Sequence, residues 1–443
     1  PLDKSKQETW IKSPYRDSEM IEFEPMSSEE QRIANAITTD DLWKLMRRRV
    51  PPLVSEYFRG GADAETTLRA NVRAFQQAMT TAHGALKFES LDLSTTVVGH
   101  SLVIPWFIAP VGSLRALYPM ADAVASKVAG EFGTVMAQST LSGTPMEKVT
   151  ESSDGQCWFQ LYLCGGQETA LRGIERAKRA GFTALILTID TGVSGLRALH
   201  AKMKPMQVAG SFQGLSLGER ITLAFRKLAV GPQMINHLPW LLDHWRDGGL
   251  MEFVNIIDMQ GNPMPYADIG EQLAASAVTW DDLKWIKSAW GDDNPLILKG
   301  VHCAYDAKKA EDFGASGVIW SNHGGRQQDR VPPSLHIVEQ EMPLMGSSKL
   351  DFMMDGGIRN GTDVLIALSY GLKAVGIGRV TAAGIGAGGH LGLTRAFEIM
   401  ESELRRAMRL VGVQNIREIH ECGPEIRRES LLKGDGHLPP IVF

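Results

Sequence analysis

The sequence predicts a (β/α)8 barrel, and three observations carry that expectation. Four times an amphipathic helix ends at a glycine with a buried-strand pattern close behind: Gly133 before Thr134–Met136, Gly181 before Ala184–Leu187, Gly314 before Val318–Trp320, and Gly371 before Ala374–Ile377. A helix closed by a left-handed glycine and feeding a wholly apolar strand is half of a βαβ unit. Four further runs, Val103–Ile108, Trp158–Tyr162, Leu296–Lys299 and Phe352–Met354, bring the strands to eight, the number that closes such a barrel. Nearly every strand then ends in polar residues, on the rim where barrels assemble their sites. An open doubly wound sheet commonly has fewer strands and a Gly-rich first turn, which is missing here.

Composition agrees with a large α/β unit: 443 residues, 44% hydrophobic and 22% charged. A formal net charge of -5 without a basic stripe argues against nucleic acid as a partner. Cys157, Cys164, Cys303 and Cys422 share no metal-ligand spacing, so no metal is expected, and they read as reduced thiols of a cytoplasmic protein. No apolar run approaches the roughly 18 residues of a membrane span.

Residues 1–38 read as an extended polar arm preceding a barrel unit over 39–421, with an irregular tail over 422–443. Thr39-Asp40-Asp41 opens a helix with acidic residues in its first turn, and Pro51-Pro52 separates it from a second helix that carries Tyr57 and stops at Gly60-Gly61. These helices look like a lid or plug. After strand four the spacing fails: residues 198–278 are rich in Met, Pro and Gly, an insertion that reads as a site cover or a disordered insert. The barrel resumes at Thr279-Trp280-Asp281-Asp282, a helix start resembling a capping box.

The strand ends carry the chemistry. Strand six runs into Ser321-Asn322-His323-Gly324-Gly325-Arg326-Gln327. His323 is a base that titrates near neutral pH and Arg326 a fixed fork of donors, a pairing suited to reaction at the carbon beside a carboxylate. Strands seven and eight end in Asp355-Gly356-Gly357-Ile358-Arg359 and Gly376-Ile377-Gly378-Arg379. Paired Gly-rich turns, each with an arginine, at this position of a barrel suit a phosphate. Lys299, ending strand five, could be a Schiff-base amine, a phosphate contact or a cation beside a cofactor ring. Asp190, ending strand four, lies two strands from His323, close enough to orient the imidazole. Tyr57 and Tyr162, taken alone, read as packing.

The heptapeptide 321–327, followed by Asp329, resembles the active-site signature of the FMN-dependent 2-hydroxy acid oxidases and dehydrogenases. The resemblance runs from about Thr39 to about residue 422. It implies FMN as cofactor and an L-2-hydroxy acid as substrate, with O2 or another acceptor reoxidising the flavin. It implies that His323 takes the hydroxyl proton, that Asp190 stabilises the imidazolium, and that Arg326, Tyr57 and Arg197 bind the carboxylate. Tyr162 would meet the hydroxyl oxygen and Lys299 the flavin N1 and O2. Val111, Gly112, Ser139, Gln160, Thr188 and Ser321 would contact the flavin; Asp355 falls among the cofactor residues; Gly357, Arg359, Gly378 and Arg379 would hold the phosphate. The family also implies a homo-oligomer, tetrameric or octameric.

Two departures bear on the outcome. Gly112 stands where many oxidases have Ala, as in lactate monooxygenase and mandelate dehydrogenase, which implies space beside the flavin and opens oxidative decarboxylation as an alternative. Leu141 replaces an aromatic of the glycolate oxidases, which argues against glycolate. Two other readings stay open: oxidation of a larger substrate, and a non-redox barrel binding a phosphorylated ligand.

Overall fold

Strands that are apolar on both faces bury fully only inside a sheet covered on each side. The computed structural model shows that arrangement as a closed parallel barrel: β1 (Trp106–Ile108), β2 (Met136–Ser139), β3 (Cys157–Leu161), β4 (Ala184–Thr188), β5 (Leu296–Val301), β6 (Gly317–Trp320), β7 (Asp351–Asp355) and β8 (Ala374–Ile377). Neighbours follow chain order, and β8 pairs with β1 to close the ring. The structure describes residues 27–428 except 89, 194, 198–235, 250, 258–260, 266–271 and 274–276.

Every strand contributes to a shared interior cluster: Phe107, Ala137, Trp158, Ala184 with Ile186, Ile297, Ile319, Met353 and Ala374. Their neighbours in sequence, such as Trp106, Leu187 and Met354, belong to the outer cluster under the helices, as the two-residue period requires. Val97, Val98 and Leu102 join the interior from a hairpin pairing Thr95–Val97 with His100–Leu102. This hairpin corrects the strand expected over Val103–Ile108. Barrel pairing begins only at Trp106, after Pro105, and Val103 is exposed. The four helix-ending glycines, 133, 181, 314 and 371, all have φ between +63° and +89°, the left-handed cap that the sequence predicted.

The arm expected over 1–38 is corrected where it is described. Residues Ser28–Ala34 form a helix, α1, started by a reciprocal Ser27–Glu30 capping box; the rest of the arm, 1–26, lies outside the described residues. The helices α2 (Thr39–Arg49), α3 (Pro52–Arg59) and α4 (Thr66–Gln77) follow. Leu42, Trp43 and Met46 of α2 are buried, and a Cβ at Gly386 of the helix Arg379–Val411 would fall 2.2 Å from Met46, so α2 packs directly onto that backbone. The tail is likewise ordered at its start: Gly423–Ile426 is helical and Arg427–Arg428 pairs with Met79–Thr80. Residues 429–443 lie outside the described residues.

The insertion is partly regular. Residues 198–235 lie outside the described residues, but Leu238–Arg246 is a helix and Glu252–Ile257 pairs with Pro263–Pro265 in a hairpin. Trp240 is buried, with its indole donating to Ala116 O, and ion pairs from Arg49 to Asp243 (3.0 Å) and Arg115 to Asp247 (2.7 Å) fasten the helix to the barrel. Thr279 meets Asp282 as expected, although the helix itself starts at Asp282.

Candidate active site

At the C-terminal rim a cavity of about 1040 Å³, counting its open mouth, runs between the ends of β1, β7 and β8 and the β6 loop. Its walls include Tyr57, Val111, Gly112, Ser139, Tyr162, Arg197, Lys299, His323, Arg326, Asp355, Gly357, Arg359, Gly378 and Arg379. Residues of eight different strand ends and of α3 therefore meet at one place. Behind this surface, Asp190, Gln160 and Ser321 are hydrogen-bonded to His323, Ser139 and Lys299, and Thr188 lies opposite Lys299 in the barrel.

The loop after β6 is built to aim His323. Three successive residues, His323, Gly324 and Gly325, are left-handed, at φ +57°, +62° and +73°. The two glycines turn the backbone sharply, and the protein itself packs against them. A Cβ at Gly325 would meet Leu68 N of α4 at 2.6 Å, and one at Gly324 would meet the Arg379 guanidinium at 2.8 Å. Asn322 ties the loop down through a reciprocal amide pair with Asn71 of α4, at 2.8 and 2.9 Å. Neither asparagine stood out in the sequence, because 251 positions separate them.

His323 Nδ1 lies 3.0 and 3.2 Å from the two oxygens of Asp190. Burial pushes the imidazole below its ordinary pKa, Asp190 opposes this, and Lys299 adds to it. The ring is thus neutral at pH 7 and able to accept a proton. Burial raises the Asp190 pKa, but His323 and Lys299 outweigh it, leaving the carboxylate below its usual range. Lys299 is not a solitary cation: it donates to Ser321 Oγ at 3.2 Å and pairs with Asp355 at 3.2 Å, while Ser321 donates to Asp355 at 2.5 Å. This pairing disfavours the Schiff-base alternative, which needs a neutral amine.

On the opposite side, Arg326 Nη1 donates to Tyr57 O (2.8 Å) and Gly60 O (3.1 Å), and its guanidinium lies 5.1 Å from the Tyr57 ring centroid. Arg197 lies 5.6 Å from the same ring. Burial alone would raise the Tyr57 pKa, yet these two cations bring it below its ordinary value. Tyr162 moves the other way: burial, then Asp190, holds its hydroxyl protonated well above the usual range.

The phosphate-type end is strongly cationic. Burial, then Arg359, Arg326 and Arg59, presses the Arg379 guanidinium well below its normal pKa. Clustered cations of this kind are stable only beside an anion. Gly378 starts the helix Arg379–Val411, whose first N–H groups point to the same end.

An apolar wall completes the cavity. Leu141 and Leu273 line it, and Cys164, Phe253, Ile256, Met251 and Met264 pack behind them. Phe253, Ile256 and Met264 come from the hairpin of the insertion, so the described part of the segment read as a site cover or a disordered insert packs into a wall of the cavity. Gly112 is less open than its missing side chain implied: an added Cβ would sit 3.2 Å from Leu141 Cβ and 3.7 Å from Tyr57 Oη.

A parallel barrel with an anion cradle after β7 and β8 and a supported base after β6 defines a cofactor-dependent barrel enzyme. The chain belongs to the FMN-dependent dehydrogenase family, whose profile matches residues 46–423. It is 31% identical to a 2-hydroxyacid oxidase of Dictyostelium discoideum over 394 residues, 88% of this chain and 90% of that protein. It is 34% identical to an L-lactate dehydrogenase of Azorhizobium caulinodans over 376 residues, 84% of this chain and 94% of that one. A crystal structure of the monotopic membrane protein (S)-mandelate dehydrogenase superposes with a TM-score of 0.77 at 27% identity, covering 89% of this chain and all of that one. The protein is an FMN-dependent oxidoreductase acting on CH–OH groups, and the non-redox alternative falls. Among the described residues no helix is long and apolar enough to cross a membrane.

The residues present fit FMN. Buried polar atoms with no hydrogen-bond partner among the described residues collect here: Gln160 Nε2, Thr188 Oγ1, Arg197 Nε and Arg359 Nη2. An unmet buried donor costs about 1–3 kcal/mol, so these atoms call for a ligand with ring-edge polar groups and an anionic end.

Proposed function

We propose that the protein oxidises an L-2-hydroxy acid with an apolar side chain to the 2-keto acid. The observation that carries this reading is that His323 and Arg326, one loop's base and guanidinium fork, both face the cavity beside the apolar wall. Arg326, with Arg197 and Tyr57, takes the substrate carboxylate. Leu141 and Leu273 receive the side chain. With Nδ1 committed to Asp190, Nε2 is the nitrogen left for the hydroxyl proton. Asp190 then stabilises the imidazolium. The protonated Tyr162 hydroxyl donates to the substrate oxygen as it becomes a ketone.

Bound FMN supplies the two-electron acceptor for the C2–H bond that is lost. Gln160, Thr188, Ser139, Ser321 and the backbone at Val111 and Gly112 would hold its ring, with Lys299 and Asp355 at the ring's polar edge. Gly357, Arg359, Gly378 and Arg379 would hold its phosphate. Positioning of C2–H by the carboxylate clamp supplies much of the rate.

The test is anaerobic bleaching of the flavin by a panel of L-2-hydroxy acids, from glycolate and lactate to branched and aromatic members. Faster reduction by the larger apolar members supports the reading. A flavin-loaded protein that no member reduces overturns it. Admitting air afterwards separates keto acid plus peroxide from a decarboxylated acid and from slow reoxidation.

A further inference from the structure

Gly300 is the middle residue of a bulge in β5, where pairing with β6 shifts register between Lys299 and Val301. It is buried, with φ +91°. A Cβ built there would lie 2.5 Å from Asp190 Cγ, 2.6 Å from Asp190 Cβ and 2.9 Å from Asp190 Oδ2. The three nearest atoms all belong to one side chain, and none of these distances is tolerable for a real Cβ. Other glycines at the same φ behave differently. Gly181, at +89°, has nothing within 4 Å of an added Cβ. The left-handed conformation favours glycine at both positions, and at Gly300 the Asp190 side chain excludes a Cβ as well.

Asp190 has little freedom to retreat. Its side chain is 8% exposed, and both oxygens are within hydrogen-bonding distance of His323 Nδ1. Ile189 N donates to Lys299 O at 3.0 Å, which holds the two strand ends together just before the contact. We propose that Gly300 is a positioning residue for the base: the bulge and the missing side chain create the slot in which Asp190 sits under His323. The proposal rests on the assignment of His323 as base. An alanine at 300 would push the carboxylate away from Nδ1 and leave the imidazole without its counter-charge. The remaining charged or titratable groups facing the pair are Lys299 and His302 from the end of β5, Asp355 from β7 and Tyr162 from β3. The glycine substitution alters none of them directly.

The experiment compares Gly300→Ala with Gly181→Ala in the flavin-loaded protein. The His323 pKa is read by NMR of histidine-labelled protein, its resonance assigned by loss in His323→Gln. The pH profile of anaerobic flavin reduction is read with the best hydroxy acid of the panel. In Gly300→Ala the His323 midpoint falls by about one pH unit, as expected when a carboxylate within about 4–6 Å is displaced. The acid limb of the reduction profile moves the same way, and the plateau rate drops roughly 10²-fold. Gly181→Ala loses thermal stability but keeps the midpoint and the rate. An unchanged His323 midpoint in a folded Gly300→Ala protein overturns the proposal. If Gly300→Ala does not fold, the double variant with Asp190→Gly decides: recovery of folding supports the clash with Asp190, and no recovery overturns it. The NMR arm needs no turnover, so failure of every hydroxy acid to reduce the wild type would sink the functional reading while leaving the positioning role measurable.

Discussion

His323 meets Asp190 through Nδ1, at 3.0 and 3.2 Å from the two carboxylate oxygens. In the proposed function this contact leaves Nε2 for the substrate and keeps a counter-charge ready for the proton. His323→Gln should lower the rate of flavin reduction about 10²- to 10⁴-fold while flavin content stays normal. Stopped-flow absorbance checks both.

The same pair sets a pH dependence. Since burial holds His323 below 6.5, the reduction rate should be flat through neutral pH and fall only as acid reaches that lowered midpoint. A neutral buried histidine is also a stability contribution, present in full above its unfolded pKa and lost as pH falls through the folded one. Thermal melts from pH 8 to pH 5 should show the decline, and His323→Gln should blunt it.

Arg326→Met should reduce kcat/KM about 10²- to 10³-fold, the loss expected when one partner of a buried charge pair is removed. Arg326→Lys should rescue little, because an ammonium cannot bridge the carbonyls of Tyr57 and Gly60 while clamping a carboxylate. Steady-state kinetics on both variants is the measurement.

At the cationic end, Arg359 Nη2 is buried without a hydrogen-bond partner among the described residues. Arg359→Met should weaken FMN about 10²-fold yet leave riboflavin binding nearly unchanged, as read by flavin fluorescence titration. Inorganic phosphate should raise the Tm of the flavin-free protein, and less so in the variant.

Asp122 lies outside this chemistry. It is fully buried on the helix Ala121–Glu131, and burial pushes its pKa up to about 6. A carboxyl group raised in the folded state stabilises most below its unfolded pKa, and that contribution is lost as pH rises through the folded value. Asp122→Asn should therefore raise stability at pH 8 relative to pH 4, by on the order of 3 kcal/mol. Urea unfolding at the two pH values checks it.

The apolar wall makes its own demand. Leu141→Trp should shift selectivity toward small hydroxy acids by about 10- to 200-fold in the ratio of kcat/KM values, since the larger ring fills the space that Leu141 leaves.

Much of this molecule is legible from local pattern. Strand periodicity, the glycines at 133, 181, 314 and 371, and the polar strand ends depend on residues near one another in sequence, so the barrel and most of its rim could be placed without coordinates. His323, Arg326, Lys299, Arg359 and Arg379 all line the cavity. Regularity without a strong apolar period was missed: the helix Ser28–Ala34, the hairpin under the barrel, and the ordered start of the tail. The hairpin and the tail are held by packing against distant elements, while the short helix rests on its Ser27–Glu30 capping box.

The sequence by itself determined the class of barrel, through periodicity, and the residue types at its rim, while the cofactor followed from the resemblance of the 321–327 motif to a known family. Only the tertiary structure decided how those residues are paired. Lys299 is bound to Asp355, the two glycines after His323 admit α4 and Arg379, and Gly300 makes room for Asp190. These contacts join residues far apart in the chain through exclusion of volume and burial of charge. Those quantities exist only once the barrel has closed.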